Sequence, residues 1–192
     1  SPEAFGESEQ QPLSDGNPMI FSNPAEHQRH SYGASKYIDE VATQHAIRQG
    51  LDARIIRPFN AYGPKLLGDE YGQVVAIFFQ AILENEPIIL HGDGSQTRSF
   101  TWIDDITEGF IKVASEEAQS GDVFNIGSEQ EVSIATLQEM IFAIVAADGD
   151  WFGGLPLVTK GEGYHGDSAR RLPDITNNEK IDWQAKVSLQ QG

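Results

Sequence analysis

Residues 30–36 read HSYGASK, and residues 57–64 read RPFNAYGP. Between these segments, apolar residues recur at helical spacing until Gly50 ends the pattern, and the short apolar run ARIIR follows. We therefore predict a helix followed by a strand. The helix carries Tyr32 and Lys36 four residues apart, which places both side chains on one of its faces.

Helices and strands continue to alternate towards the C-terminus. Strands separated by helices of this length are typical of an α/β fold with a largely parallel sheet. The polar stretch 6–30 is rich in turn formers, and we predict a long loop there. The other predicted elements are strands over 53–57, 88–91, 99–103 and 123–126, and helices over 73–85, from an Asp104/Asp105 cap to about 117, from a Ser133 cap to about 147, and from a capping box at 176–179.

The first strand–helix unit lacks a nucleotide-binding fingerprint. A doubly wound dinucleotide-binding domain carries glycines at fixed spacing between its first strand and first helix. No G-x-x-G-x-x-G occurs in the sequence, and no G-x-G-x-x-G leads from the first predicted strand into the next helix. We therefore expect this chain to lack the half of such a fold that binds the dinucleotide.

The chain is strongly acidic and has no cysteine. Its formal net charge of −16 argues against nucleic acids and anionic membranes as partners, because both select basic surfaces. Without cysteine there are no disulfides, thiolate zinc sites or cysteine nucleophiles, and we predict no metal site. No apolar run approaches the length of a membrane-spanning segment, so we expect a cytoplasmic protein.

Two motifs suggest chemistry. A phenol with a pKa of about 10 is a poor base at neutral pH, and a nearby ammonium stabilises the phenolate, so Tyr32 and Lys36 suit proton abstraction. A helix that carries both by chance is the alternative, because Y-x-x-x-K alone is a weak motif. Arg98 follows the glycine-rich turn GDGSQT, where a guanidinium can grip a phosphate in a fork.

Six segments in one order carry a family resemblance: SPEAFG (1–6), SYGASK (31–36), RPFNAYGP (57–64), HGDGSQTRSFTWIDD (91–105), VFNIGS (123–128) and RRLPDIT (170–176). Together they resemble the extended short-chain dehydrogenase/reductase family, the NAD-dependent nucleotide-sugar epimerases, dehydratases and decarboxylases. The resemblance implies the C-terminal part of a Rossmann-type doubly wound sheet plus a small α/β substrate-binding domain. Residues 1–57 would belong to the NAD-binding domain and 58–192 mainly to the substrate domain, with 99–128 returning to the Rossmann sheet.

The resemblance also implies catalytic roles. Tyr32 would remove a proton from a sugar hydroxyl as hydride leaves the same carbon for NAD, which the resemblance favours over NADP. Lys36 would bind the nicotinamide ribose and lower the pKa of the tyrosine. Ser1 would hydrogen-bond the reacting oxygen, and Phe59 would line the nicotinamide pocket. Glu3 would act as a catalytic carboxylate, with a strand-end carboxylate of no catalytic role as the alternative.

Further positions match the substrate-binding residues of the family. Asn60 would hydrogen-bond the phosphate region, and Val75 would lie near the nucleotide base. Arg98 and Arg171 would contact the diphosphate or the sugar. Other interpretations remain open: Asn60 as a turn former, Val75 as a core residue, and Arg171 with Arg170 as a solvated surface pair.

The implied first step is oxidation at the sugar C4 to a 4-keto intermediate. Pro2 stands where dehydratases of the dTDP-glucose type carry an aspartate, whereas Glu3 and Arg98 fit the UDP-glucuronate decarboxylase pattern. The hypothesis is therefore a nucleotide-sugar epimerase/dehydratase acting on a nucleotide-diphosphate sugar, which we expect to be UDP-linked. UDP-glucuronate decarboxylase is the alternative within the family.

A functional hypothesis of a different class is that this is a truncated chain without catalytic activity. The chain begins Ser1-Pro2-Glu3 without methionine, so we expect that this is not a native translation start. Hydride transfer needs a positioned cofactor, and such a fragment would at most bind a nucleotide sugar. Intact relatives usually form homodimers through two helices of each subunit, and the 32–49 helix would be one of these.

Overall fold

The computed structural model describes residues 1–25, 31–68, 73–115, 117–163 and 167–192. Within these ranges, helices and short strands alternate along the chain. The α-helices are α1 (Ser31–Arg48), α2 (Val74–Glu84), α3 (Ile103–Val113) and α4 (Ile134–Ala147), and the 3₁₀ helices are η1 (Pro2–Phe5) and η2 (Thr176–Ile181). The strands are β1 (Ile55–Pro58), β2 (Ala61–Tyr62), β3 (Ile88–His91), β4 (Thr97–Ser99), β5 (Thr101–Trp102), β6 (Val123–Ile126), β7 (Glu131–Ser133), β8 (Val158–Gly161) and β9 (Arg170–Arg171).

The strands form small sheets that are mostly parallel. β1 pairs with β6 in parallel, from Ile55 opposite Val123 to Pro58 opposite Ile126. The segment after α3 thus lies beside the first strand. The predicted domain boundaries and the predicted return of 99–128 to the Rossmann sheet stay predictions. β2 pairs with β5 and β3 with β8, both in parallel, whereas β4 lies between antiparallel β7 and parallel β9.

Two apolar clusters form most of the core. The first joins α2, α4 and β3, and its Phe78, Ile82 and Leu137 are each 2% exposed. The second joins α3, β6 and the segment after η2 through buried residues such as Phe124 and Trp183. Burial of these side chains is the main stabilising contribution of both clusters, at roughly 25 cal/mol per Å² of apolar surface removed from water.

Several predicted elements are confirmed. α1 ends just before Gly50, and the strands over 88–91 and 123–126 have the predicted bounds. The cap prediction at Ser133 is also confirmed, because its side-chain oxygen accepts a hydrogen bond from the Thr136 amide (3.0 Å) and α4 then runs to Ala147. These elements have strong local signals, namely apolar periodicity and a capping hydroxyl.

The predicted cap of α3 is wrong. Asp104 and Asp105 lie in the first turn of the helix, the N-cap is Trp102, and the helix ends at Val113. Asp105 instead turns inward, where its Oδ2 accepts hydrogen bonds from the amides of Lys186 and Val187 (2.9 Å each). The carboxylate therefore anchors the C-terminal segment against α3.

Two other predictions are corrected. The predicted strand 99–103 divides at Phe100, because β4 and β5 belong to different sheets. The predicted capping box at 176–179 is a 3₁₀ helix without a side-chain cap. Asp174 makes the turn instead, since its Oδ1 accepts a hydrogen bond from the Thr176 amide (2.9 Å).

The predicted long loop is confirmed for its described part, 6–25, while 26–30 lie outside the described residues. Single bridges, Gly6 with Ile20 and Leu13 with Pro173, hold this loop against the fold.

The sequence does contain one G-x-G-x-x-G, GEGYHG at 161–166. It begins at the end of β8, and the next described element is strand β9, so among the described residues it does not open a helix as a dinucleotide fingerprint does. In the described part of the chain, no helix is long and apolar enough to cross a membrane.

Candidate active site

The first turn of α1 lies directly on η1. A Cβ added to Gly33 would be 2.2 Å from the Glu3 carbonyl oxygen, so only glycine permits this approach. Within η1, the Glu3 amide donates a hydrogen bond to the Ser1 Oγ (3.3 Å). The structure therefore brings the segment of Ser1 and Glu3 next to the helix end that carries Tyr32.

Tyr32 and Lys36 lie together on an exposed face of α1. The Lys36 Nζ is 5.8 Å from the centre of the Tyr32 ring, and 55% of the tyrosine is exposed. Lys36 also donates to Asp39 Oδ2 (2.8 Å), and this hydrogen bond raises the lysine pKa. The structure thus places a hydroxyl and an ammonium side by side at the surface, as the four-residue spacing predicts.

A cleft of about 550 Å³ opens beside η1, between α2, β3 and β4. Glu3, Asn60 and Arg98 line it, so three predicted site residues from distant parts of the sequence meet there. Its apolar wall contains Ile77 of α2 and Ile89 of β3. A cleft with an apolar wall and a few convergent polar groups is the usual form of a small-molecule site.

The polar groups of the cleft are held in place. Arg98 is 14% exposed and donates from Nη2 to Asp167 Oδ1 (2.9 Å) and from Nη1 to the Thr97 carbonyl (2.7 Å). Asn60 adopts a positive φ of 31° and donates from Nδ2 to the Ser99 carbonyl (2.8 Å). The guanidinium and the amide are therefore oriented by the protein itself.

Arg171 does not line this cleft. Its side chain is 4% exposed, and its Nη1 donates to the Glu3 Oε1. Its Nη2 is buried without a hydrogen-bond partner among the described residues, and its predicted contact with a diphosphate or a sugar stays a prediction. Arg170 beside it is exposed and pairs with Glu131.

Two more predicted site residues are buried. Phe59 is 0% exposed and packs with Phe5 and Leu13, and its predicted place in the nicotinamide pocket stays a prediction. Val75 is 8% exposed and belongs to the α2 core, whereas its neighbour Val74 lines the cleft. Val75 is thus a core residue in this structure, and its predicted place near the nucleotide base stays a prediction.

The cleft also contains residues that the sequence reasoning did not select. Asp167 holds Arg98, and His91 and Gln73 line the wall. The Oε1 atom of Gln73 is buried without a hydrogen-bond partner among the described residues. His91 begins the segment HGDGSQTRSFTWIDD and could have been selected from it. No spacing rule distinguishes Asp167 from the other acidic residues of this acidic chain.

The residues on α1 fit one part of a dinucleotide. Tyr32 and Lys36 present a hydroxyl and an ammonium on one exposed face, the donors that a ribose and a reacting hydroxyl require. Among the described residues, no G-x-G-x-x-G turn leads from a strand into a helix to cradle a pyrophosphate. The same part of the chain has no group of three or more potential metal ligands.

Curated relatives include sugar-nucleotide decarboxylases. A UDP-N-acetyl-alpha-D-glucosaminuronate decarboxylase of Bacillus cytotoxicus is 33% identical over 168 residues, which cover 85% of this chain and 51% of that protein. UDP-glucuronic acid decarboxylase 2 of Arabidopsis thaliana is 32% identical over 166 residues, covering 85% of this chain and 35% of the plant protein. The chain thus spans about half the length of these relatives, or less.

Solved structures share the fold. A UDP-glucose 4-epimerase of Thermotoga maritima with UDP-glucose superimposes with a TM-score of 0.81 and 27% identity, covering 98% of this chain and 57% of that one. The PbgP3 protein of Burkholderia pseudomallei gives a TM-score of 0.85 at 23% identity, with 100% and 58% coverage. These similarities confirm the predicted α/β fold with Rossmann-type parallel pairing.

The family assignment follows from the sequence itself. Residues 1–127 match the NAD dependent epimerase/dehydratase family, and the matched range contains η1, α1, β1 and the cleft residues Asn60 and Arg98. The resemblance seen in the ordered motifs is thereby confirmed. This chain belongs to the NAD dependent epimerase/dehydratase family.

Proposed function

We propose that the complete protein is an NAD-dependent nucleotide-sugar epimerase/dehydratase that works through a 4-keto-sugar intermediate. One observation carries the proposal: Gly33, which lies between Tyr32 and Lys36 on α1, packs against Glu3 of η1, and Glu3 lines the cleft that holds Arg98. An acid–base pair and an anion-binding cleft are therefore contiguous, as a site that oxidises a bound sugar phosphate requires.

Tyr32 is the proposed base. Its phenolate oxygen would take the proton of the sugar C4 hydroxyl and become the phenol, and the ammonium of Lys36 lies close enough to stabilise that phenolate. Ser1 would orient the reacting oxygen through its hydroxyl. NAD, when bound, supplies the hydride acceptor for the same carbon. We propose NAD rather than NADP because the matched family is NAD dependent.

The cleft is the proposed site of the nucleotide sugar. Arg98 would bind the diphosphate in a fork, and Asn60 would donate a hydrogen bond beside it. The apolar wall with Ile77 and Ile89 offers a surface for a nucleobase. A UDP-linked substrate is supported by the relatives, whose names specify UDP-sugars.

Decarboxylation of a UDP-glucuronate is the second candidate function. Glu3 and Arg98, the two residues that fit the decarboxylase pattern, line the same cleft, and this favours it because a sugar carboxylate needs a cationic neighbour. Both of the curated relatives described above are decarboxylases by name.

The oligomeric state of the protein and its location in the cell are also proposals. The exposed Tyr37, Ile38 and Val41 on α1 support a homodimer that uses this helix, since such apolar groups are favourable at a subunit interface. A cytoplasmic location rests on composition alone. The inactive-fragment hypothesis applies to the 192 residues by themselves, for which we expect nucleotide-sugar binding without turnover.

The test uses the protein expressed from its complete gene. It is incubated with NAD and either UDP-glucose or UDP-glucuronate, and products are identified by NMR. A C4 epimer or a 4-keto-6-deoxy sugar supports the epimerase/dehydratase proposal, and a UDP-pentose with release of CO₂ supports the decarboxylase. No conversion of any UDP-sugar by folded protein would reject both. NADH formation by the 192 residues alone would contradict the inactive-fragment hypothesis.

A further inference from the structure

A buried ion pair joins α1 to β1 near the proposed catalytic groups. Arg57 donates from Nε to Glu40 Oε1 (2.8 Å) and from Nη2 to Oε2 (2.6 Å), so the two side chains meet through two parallel hydrogen bonds. They are 3% and 14% exposed. A desolvated fork of this kind fixes distance and orientation together, which a single exposed contact does not.

The same guanidinium also contacts η1. The central carbon of Arg57 lies 4.6 Å from the centre of the Phe5 ring, a cation–π distance. Phe5 is 1% exposed and closes the 3₁₀ helix that carries Glu3. Arg57 therefore touches the helix of the proposed base and the turn of the proposed catalytic carboxylate at once.

Arg57 is itself part of a third segment. It lies in β1, which leads through Pro58 to Asn60 in the cleft. The described contacts thus connect η1, α1 and β1 through one side chain. α1 also packs on η1 at its first turn, where Gly33 lies against the Glu3 carbonyl.

We propose that Arg57 and Glu40 are positioning residues that hold the three catalytic segments in register. The proposal rests on the proposed function for its catalytic consequence. Glu40 lies eight residues after Tyr32 on α1, so a tilt of the helix about Gly33 is resisted at Glu40. Proton transfer needs donor and acceptor about 2.6–3.2 Å apart, and a displacement of about 1 Å costs about a hundredfold in rate.

The variants are Arg57→Lys and Glu40→Gln. Arg57→Lys keeps the positive charge and removes the fork, because a lysine is a point donor. The matched control is Arg170→Lys. Arg170 makes the same two-bond contact with Glu131 (2.7 and 2.8 Å), but it is 46% exposed and lies on β9, away from α1.

The first measurement is hydrogen–deuterium exchange of the chain, read by mass spectrometry. We expect Arg57→Lys to speed exchange in peptides covering 1–6 and 31–40 by about tenfold or more, and to leave the cleft peptide 88–99 unchanged. In Arg170→Lys, the peptides covering 1–6 and 31–40 should exchange at the wild-type rate. Unchanged exchange at 1–6 in Arg57→Lys would overturn the proposal, because the guanidinium would then not hold η1.

The second measurement is turnover of UDP-glucuronate by the protein from the complete gene, at a temperature where every variant is folded. We expect Arg57→Lys and Glu40→Gln to lower kcat by about tenfold to a hundredfold and to change KM by less than about twofold. An unchanged kcat would overturn the catalytic role. A wild type without turnover would reject the proposed function, and the exchange result would still decide whether Arg57 holds the three segments.

Discussion

The cleft and the exposed face of α1 hold their cations in different ways. In the cleft, Arg98 is 14% exposed and is fixed by Asp167, itself 20% exposed. On α1, Lys36 is 39% exposed and binds Asp39, which is 65% exposed. An exposed pair of this kind contributes little to stability and is screened by salt, whereas a mostly buried pair keeps its geometry.

The difference indicates that the two halves of the proposed site are built differently. The guanidinium and amide of the cleft are already oriented, which reduces the ordering cost of binding a ligand. The acid–base pair on α1 is presented at the surface, and its position depends on contacts beneath the helix. We therefore expect binding and chemistry to be separable by mutation.

The largest expected effect is on chemistry alone. Tyr32→Phe removes the proposed base and should lower kcat by about 10²–10⁴-fold, because proton transfer from a positioned side chain contributes that much. UDP affinity, measured by calorimetry, should be unchanged because the cleft lies outside α1. The measurement is turnover of UDP-glucuronate by the protein from the complete gene.

Tyr37→Phe is the matched control for this prediction. Tyr37 is on the same helix, 40% exposed, with its ring 6.0 Å from that of Phe21. The control should keep wild-type kcat. If Tyr32→Phe retained more than about a tenth of the activity, Tyr32 would not be the base. The chemistry could then not be assigned to the exposed face of α1.

Glu3 lies at the junction of the two regions and pairs with Arg171. We expect its replacement to lower the stability of the fold. Glu3→Gln leaves Arg171 charged, 4% exposed and without its carboxylate. Removing one partner of a buried pair costs about 3–5 kcal/mol, and we expect the lower end because Glu3 is 35% exposed. Urea unfolding of the chain measures the difference.

Glu108→Gln provides the comparison for Glu3. The pair of Glu108 with Lys186 is 37% and 60% exposed, so its loss should lower the free energy of unfolding much less than the loss of the Glu3 pair does. Equal effects of the two substitutions would mean that the burial of Arg171 does not matter, and Arg171 would then be free to bind a ligand.

Binding alone should respond to Arg98. Arg98→Gln removes a charge-assisted fork worth about 1.5–3 kcal/mol, so UDP should bind about 10–150-fold more weakly to the chain. Arg48→Gln, at the exposed end of α1, should leave UDP affinity unchanged. Wild-type affinity in Arg98→Gln would show that the diphosphate binds elsewhere.

Much of the fold could be predicted because its signals are local. α1 and α4 have apolar periodicity, and the Ser133 cap lies next to the turn that it caps. Strands of two residues such as β2 and β9 give no period to detect, so they were not predicted. Their positions depend on partners far along the chain, which a single sequence does not reveal.

The site was predictable in its residue types more than in its contacts. The ordered motifs selected Glu3, Asn60 and Arg98, and all of them line the cleft. The motif RRLPDIT did not show which arginine is buried, because that is set by the pairing of β9 with β4. Arg171 meets Glu3 across 168 residues, a separation that no spacing rule covers.

The smallest expected effect concerns the edge of the sheet that carries Arg98. The hydrogen bond from Arg170, with a further one from Thr97, holds the pKa of Glu131 below its ordinary value of 4.5. A carboxylate whose pKa is lowered by folding contributes stability above its unfolded pKa and loses it as pH falls through the folded value. Glu131→Gln should therefore lower Tm slightly at neutral pH, and the effect should be small because Arg170 is 46% exposed and the pair is screened by solvent.

The pH dependence separates this contribution from a loss of shape at the sheet edge. The Tm difference between wild type and Glu131→Gln should shrink as pH falls below 4.5, because protonation then removes the charge from the wild type as well. UDP affinity at neutral pH should stay the same in both proteins, since Arg98 keeps Asp167. A Tm difference that persisted in acid, together with weaker UDP binding, would mean that the edge of the sheet helps to form the cleft. The geometry of the cleft would then depend on its surroundings more than the Arg98–Asp167 pair indicates.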